Sequence, residues 1–485
     1  MSAVAPLPWR PAYADLPDDF RAPARPTPVA APRLLAFNQA MAAGLGLADW
    51  PVAEIEAVFS GNRIPEGAAP VALAYAGHQF GHFVPRLGDG RAIALGELTG
   101  GDGLRYDVQL KGAGPTAFSR RGDGRAAIGP VLREFLVSEA MHALGVPTTR
   151  SLAAVATGEV VVRDQILPGA VLTRVAASHV RVGSFQFFAA RGDDAGVRAL
   201  ADHVIARHYP ELAGADDPYL ALLVAVAARQ AALVAKWMHL GFIHGVMNTD
   251  NMAVSGETID YGPCAFLDEY HPAKVFSSID RHGRYAYGNQ PPIAQWNLAR
   301  LAECLLPLFA RQGDEGVADA RAAIEGFAGQ YQRAWLEGLR PKLGLATAQD
   351  EDEALGRDFL AALEAVEADY TLSFHALAGA LGDAAGGLPR TPAMDAWLAR
   401  WRGRLATEAR PADDVRGMLR AANPAVIPRN HQVEAALAAA AGGDLQPFEA
   451  LLAAVRRPFD DGPAQQPFMA PPEPAQRVTQ TFCGT

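Results

Sequence analysis

His244-Gly245-Val246-Met247-Asn248-Thr249-Asp250-Asn251 and, beyond Met252–Glu257, Thr258-Ile259-Asp260-Tyr261-Gly262 are the stretches on which the fold turns. They follow Tyr219–Leu240, which is apolar around most of its circumference and predicts a long buried helix ended by Gly241. Asn251 and Asp260 are hard oxygen donors, suited to Mg²⁺ held jointly by protein and phosphate oxygens. Asp250 is a carboxylate able to orient or deprotonate an attacking hydroxyl.

Toward the N-terminus, Phe83–Leu87, Arg91–Leu98 and Leu104–Leu110 are apolar and β-branched. The linkers Gly88-Asp89-Gly90 and Thr99-Gly100-Gly101-Asp102-Gly103 suit hairpin turns, so three antiparallel strands in a row are expected. The third ends on Val108-Gln109-Leu110-Lys111. A Gly- and Arg-rich loop, 112–129, precedes a helix expected from Pro130 to about Leu144, which carries Glu134. Further strands are expected at Ser151–Ala156, Glu159–Arg163 and Ala170–Val175, and a short helix at Arg33–Gly44. From Pro292 to about Arg457 the chain reads as Ala/Leu-rich helices.

A strand-end lysine facing a helix glutamate, then an Asn seven residues after a His, then Asp-Tyr-Gly, follows the order of parts in protein kinases. Lys111 taken alone reads more readily as an amine reaching solvent at a strand end. It is the order and spacing that carry the reading. One position departs: Val246 stands where a kinase has its catalytic base, and the carboxylate is found at Asp250 instead. The expected fold is α+β, bilobal and protein-kinase-like, with a Pro-rich N-terminal strap and a helical C-terminal extension. Its divisions are 1–70 (extension), 71–175 (smaller lobe), 176–310 (larger lobe with the catalytic loop) and 311–485 (helical extension).

Composition narrows the function classes. Lys and Arg number 43 against 53 Asp and Glu, a net charge of −10, which argues against general nucleic-acid or anionic-membrane binding. Three cysteines, at 264, 304 and 483, make no disulfide framework and no zinc-type CxxC pair. The start lacks a basic-then-apolar leader. The run within Tyr219–Lys236 is interrupted by Arg229 and Gln230 and reads as too short for a bilayer. A cytoplasmic, monomeric protein is expected. The first 32 residues hold eight prolines, yet Trp9, Tyr13 and Phe20 give that segment something to bury, so it is expected to lie ordered along the surface.

Long strings carry a closer resemblance: AYAGHQFGHFVPRLGDGRA (74–92), LGELTG and RYDVQLKGAGPTAFSRRGDGRAA (within 95–127), LTRVAASHVRVGSFQFF (172–188), GFIHGVMNTDNMAVSGETIDYGPCAFLD (241–268) and GRYAYGNQPPIAQWNLARLAE (283–303). Together they resemble the selenoprotein O, or YdiU, family of kinase-like protein adenylyltransferases. The resemblance implies that ATP binds flipped, with its α-phosphate toward the acceptor. AMP then passes to a Ser, Thr or Tyr hydroxyl of a protein and pyrophosphate leaves. It implies phosphate binding by Lys111, and nucleotide contacts by Gly88, Gly90, Arg91, Asp123, Gly124, Arg174, Arg181 and Asp260. Asp250 is the implied proton acceptor, and Asn251 and Asp260 the ligands of Mg²⁺ or Mn²⁺. From the residues alone two readings stay open beside it: a kinase moving the γ-phosphate, and a nucleotide-binding pseudokinase. UTP is an alternative nucleotide.

Other features have blander expectations. His78 and His82 read as structural hydrogen-bonding residues rather than a metal pair. Arg120, Arg121 and Arg125 are either a solvated face or a second anion contact. Arg281-His282-Gly283-Arg284 is either a surface loop or a contact to the protein substrate. Cys264 and Cys304 read as small buried residues, and the resemblance implies a redox role for Cys483.

Overall fold

The structure, a computed structural model, describes residues 7–382 and 385–482. Strands β1 (Arg21–Pro23) and β2 (Arg33–Phe37) precede helices α1 (Gln39–Gly44) and α2 (Val52–Phe59). Then come β3 (Val71–Leu73), β4 (Gly77–Gln79), β5 (His82–Val84), β6 (Ala92–Thr99), β7 (Arg105–Lys111), β8 (Ala126–Ala127), α3 (Ile128–Ala143), β9 (Arg150–Val162) and β10 (Ile166–Ala176). The main sheet runs β1-β3-β6-β7-β10-β9-β2, with β8 also paired to β10 and every pairing antiparallel. Its register sets Lys111 of β7 opposite Leu172 of β10, two residues before Arg174.

Helix α3 packs on β9 and β10 and buries Val131, Leu132, Phe135 and Leu136. Phe135 is fully buried and meets Phe448 edge-on, with ring centroids 6.3 Å apart. Phe135→Ala is expected to cost about 3–5 kcal/mol, read as a lower urea midpoint of unfolding.

The remainder is mostly helical: α4 (Val182–Ala189), α5 (Asp194–His208), α6 (Pro218–Leu240), the short pair β11 (Phe242–Ile243) and β12 (Ala265–Phe266), α7 (Gln290–Leu305) and α8 (Gly313–Lys342), then further helices as far as Gln466–Met469. The chain thus mixes sheet and helix, in keeping with the α+β expectation. By length and composition α6 is apolar enough to cross a membrane, so it is not too short for that, as the sequence suggested. It packs against α7 and α8, however, and buries residues on several sides, from Leu222 to Leu240. Asp217 caps its start and Gly241, with φ +67°, ends it.

The C-terminal helices return to the sheet. Helix Asn430–Ala441 packs on α3, where Arg133 pairs with Glu434. At the other end of the chain Trp9, Tyr13 and Phe20 are buried, and Arg10 exchanges backbone hydrogen bonds with Glu97 of β6.

Several local expectations are corrected. Arg33–Gly44 is not one helix: Arg33–Phe37 pairs with β9, and α1 starts only after Asn38, whose side chain accepts from the Met41 N–H at 3.2 Å. Phe83–Leu87 is not the neighbour of β6. His82–Val84 pairs with Gly77–Gln79 in a separate ribbon, and β3 takes the place beside β6. Pro85, lacking an N–H, cannot continue a ladder. Ser151–Ala156 and Glu159–Arg163 are one strand, β9, bent at Gly158, beside the register shift between Pro168 and Ala170 on β10. The helix expected from Pro130 begins two residues earlier, at Ile128.

Candidate active site

The sheet, the β4–β5 ribbon, the Gly- and Arg-rich loop before α3 and the loops after β10 and β11 line a cavity of about 780 Å³. All eleven residues singled out in the sequence lie on its wall: Gly88, Gly90, Arg91, Lys111, Asp123, Gly124, Arg174, Arg181, Asp250, Asn251 and Asp260. They come from segments that are distant in sequence and converge only through the fold.

Four charged side chains form the innermost network. Lys111 Nζ donates to Glu134 Oε2 at 2.7 Å and to Asp260 Oδ1 at 2.5 Å. Arg174 Nε donates to Glu134 Oε1 at 2.7 Å, and its Nη2 to Asp260 Oδ1 at 3.1 Å. Burial alone would raise both carboxyls. Lys111 and Arg174 outweigh it and hold Glu134 below, and Asp260 well below, the usual range. Asp260 is therefore ionised at any working pH. It also has φ +68°, a left-handed backbone that a non-glycine residue adopts at a cost.

Asp250 is held differently. It sits in the single turn Thr249–Asn251 and is 8% exposed. Its Oδ2 accepts from Gln79 Nε2 at 3.4 Å, and its backbone carbonyl accepts from Arg181 Nη1 at 3.1 Å. Its Oδ1 is buried without a hydrogen-bond partner. Burial pushes its carboxyl up to about 6, against the pull of Arg181. A carboxylate with one unoccupied oxygen and a raised pKa is poised to take a proton. Gly77 makes the close approach possible: a Cβ there would lie 2.5 Å from Asp250 Oδ1.

Arg181 caps α4, lies over the Tyr75 ring at 4.4 Å and has Asp89 Oδ1 3.6 Å away. Asp123 receives Arg163 through two hydrogen bonds, at 2.8 and 2.9 Å. Gly88 has φ +69°, and a Cβ on it would lie 2.3 Å from the Phe118 ring, so both backbone and space demand glycine there. Arg120, Arg121 and Arg125 also reach the cavity. Its lining holds eight cationic side chains (Arg91, Lys111, Arg120, Arg121, Arg125, Arg163, Arg174, Arg181) against four carboxylates (Asp89, Asp123, Asp250, Asp260). That excess favours a polyanion.

The donor set also fits a divalent cation. Asn251 spends its amide N–H on the Val246 carbonyl at 3.0 Å, which leaves its oxygen as the end a cation requires. Among the described residues no group of three or more His, Cys, Asp or Glu is placed to hold a metal ion. Asn251 and Asp260 would thus hold a metal only together with oxygens of the substrate, the usual habit of Mg²⁺ at phosphates.

His78 and His82 lie on the β4–β5 ribbon, not on a helix; His78 Nδ1 and Gln186 Nε2 are 2.8 Å apart. Cys264 and Cys304 are buried, with thiols pushed up to about 12 by burial. Cys483 lies outside the described residues. Sequence reasoning missed Tyr75, Gln79, Phe80, Asp89 and Arg163 on the cavity wall. The first two are ordinary residues in a strand-like string, and only the ribbon's fold onto the Asp250 loop brings Gln79 in.

Comparison with known proteins bears on the family. The profile of the family described as protein adenylyltransferase SelO matches residues 4–456. The chain is 59% identical over 487 residues to a protein of Bradyrhizobium sp. (strain BTAi1) named protein nucleotidyltransferase YdiU, covering 99% of each. Proteins of the same name from Methylorubrum extorquens and Rhizobium meliloti are 60% and 59% identical, over 99% and 98% of each chain respectively. The chain belongs to the SelO family of protein adenylyltransferases.

Proposed function

We propose that this protein is an adenylyltransferase that moves AMP from ATP to Ser, Thr or Tyr hydroxyls of other proteins and releases pyrophosphate. The observation that carries the reading is the pairing, in one cavity, of a cationic wall with a buried carboxylate whose Oδ1 has no partner. Nucleotidyl transfer asks little covalent help of the protein and much positioning and charge neutralisation.

In this reading Lys111, Arg91, Arg174 and Arg181 bind the phosphates, and the guanidinium forks match phosphate oxygens. Gly88, Gly90, Asp123 and Gly124 contact the rest of the nucleotide. Glu134 holds Lys111 and Arg174 in place. Asn251 and Asp260 hold Mg²⁺ or Mn²⁺, which when bound neutralises charge developing on the phosphates. Asp250 Oδ1 takes the acceptor hydroxyl's proton as the oxygen bonds to the α-phosphorus. The bond from that phosphorus to the bridging oxygen breaks, and pyrophosphate leaves with its electron pair. Val246, 7% exposed and without an acidic group, cannot serve as a base at the usual kinase position.

The same reading takes the sheet and α3 as the smaller lobe, 71–175, of a kinase-like bilobal fold and 176–310 as the larger. Residues 1–70, with their buried Trp9, Tyr13 and Phe20, act as a strap, and 311–485 as a helical extension. It places the protein in the cytoplasm as a monomer. The test is the product: pyrophosphate appearing in step with acceptor modification supports the reading, and inorganic phosphate in its place would show γ-phosphate transfer.

A further inference from the structure

On the Asp250 side of the cavity the β4–β5 ribbon folds over the catalytic loop. The His78 N–H donates to Thr249 Oγ1 at 2.6 Å and the Phe80 N–H to Asn248 Oδ1 at 3.0 Å. Tyr285 donates its hydroxyl to the same Asn248 oxygen at 2.6 Å and sets its ring 5.1 Å from that of Phe80. Just outside this contact lies a cationic shelf that the transfer chemistry does not use. The Arg284 guanidinium stacks on Trp296 at 4.8 Å and borders the ribbon turn at Gly81, where a Cβ would come within 3.6 Å of it. Arg300 stacks on Trp296 as well, at 4.9 Å.

Neither cation is neutralised in a buried pair. Arg284 forms no ion pair among the described residues, and its Nε is buried without a hydrogen-bond partner. Arg300 reaches Glu303 at 2.7 Å, but Glu303 is 58% exposed, and such a pair is weak and easily exchanged. Elsewhere many of the chain's arginines are paired to carboxylates, as Arg174, Arg207, Arg404 and Arg429 are. The shelf's two guanidiniums are held rigid by one aromatic plane beside the loop that carries the proton-accepting carboxylate. Exposed apolar Ile279 lies on the cavity wall, in the same segment as Arg284.

We propose that Arg284 and Arg300, stacked on Trp296, are specificity-determining residues that dock an acidic side chain of the acceptor protein close to the hydroxyl being modified. Guanidiniums fixed on an aromatic plane and outside any buried ion pair match carboxylates, and stacking lowers the ordering cost of binding them. The inference rests on the transfer reading above and adds to it the class of acceptor: hydroxyl residues in acidic segments.

The test uses the full-length protein with Mg²⁺ and α-labelled ATP, and poly(Glu,Tyr) or poly(Lys,Tyr) as acceptor. Label is expected on poly(Glu,Tyr) and not on poly(Lys,Tyr), with a KM for the polymer that rises with salt. In the double variant Arg284→Gln, Arg300→Gln that KM is expected to rise about tenfold or more and to lose its salt dependence, while kcat and the KM for ATP stay put. The unchanged ATP parameters separate lost docking from a damaged fold. Equal labelling of both polymers, or an unaltered acceptor KM in the variant, would overturn the proposal. Label on proteins of a cell lysate but not on poly(Glu,Tyr) would overturn it and leave the transfer reading standing. Absence of α-label from every acceptor would remove both.

Discussion

Asp260→Ala is expected to lower nucleotidyl transfer about a thousandfold or more, with Lys111→Ala close behind. Asp260 is the node of the inner network: it accepts from both Lys111 and Arg174, and with Asn251 it would hold the cation. Its removal takes away a proposed metal ligand and leaves two cations sharing Glu134 alone. Lys111→Ala removes a proposed phosphate ligand and one of the two cations that compensate the buried Glu134 charge. Breaking a buried pair on one side destabilises by about 3–5 kcal/mol, so the variant needs a control. Circular dichroism and a thermal melt would confirm that it is folded before its rate is read. A folded Asp260→Ala protein with wild-type activity would mean that the network is structural and the chemistry lies elsewhere.

The second large effect is at Asp250. Asp250→Asn keeps the shape and the Arg181 contact, which is made by the backbone carbonyl, but removes the proposed proton acceptor. A fall of about 10²–10⁴ in kcat is expected, with ATP affinity little changed. The pH profile carries the sign. Burial raises this carboxyl to about 6, and only its ionised form accepts a proton. The wild-type rate should therefore fall as pH drops through about 6 and level off above it. That acid limb should vanish in Asp250→Asn. An acid limb that persists unchanged in the variant would assign it to another group.

Much of the site was legible in linear sequence because its chemistry is concentrated in short strings. Asp250-Asn251, Asp260-Tyr261-Gly262 and the strand-end Lys111 each announce an oxygen donor or a cation where phosphate chemistry needs one. The cavity brings them together with Arg174 and Arg181. What escaped depends on contacts with no local pattern. Gln79 meets Asp250 across a separation of 171 residues, and Arg133 meets Glu434 across 301. Phe83–Leu87 has the right composition for a strand of the main sheet, yet His82–Val84 pairs with Gly77–Gln79 instead. Composition alone does not choose a strand's partner. The break at Asn38 has a related cause: Arg33–Gly44 reads as one short helix, but pairing with β9 claims its first half. The Arg281–Arg284 stretch read equally as a surface loop or a substrate contact. The stacking of Arg284 on Trp296, beside the ribbon, is a contact that the linear sequence does not announce.

The measurement that bears most directly on the central claim is a paired labelling experiment. The purified protein is incubated with Mg²⁺, a mixed protein lysate and ATP labelled at either the α- or the γ-phosphate, with Asp260→Ala alongside. The account predicts stable protein-bound α-label, no γ-label, and neither in the variant. Stable γ-label without α-label would contradict it and make the protein a phosphate-transferring kinase.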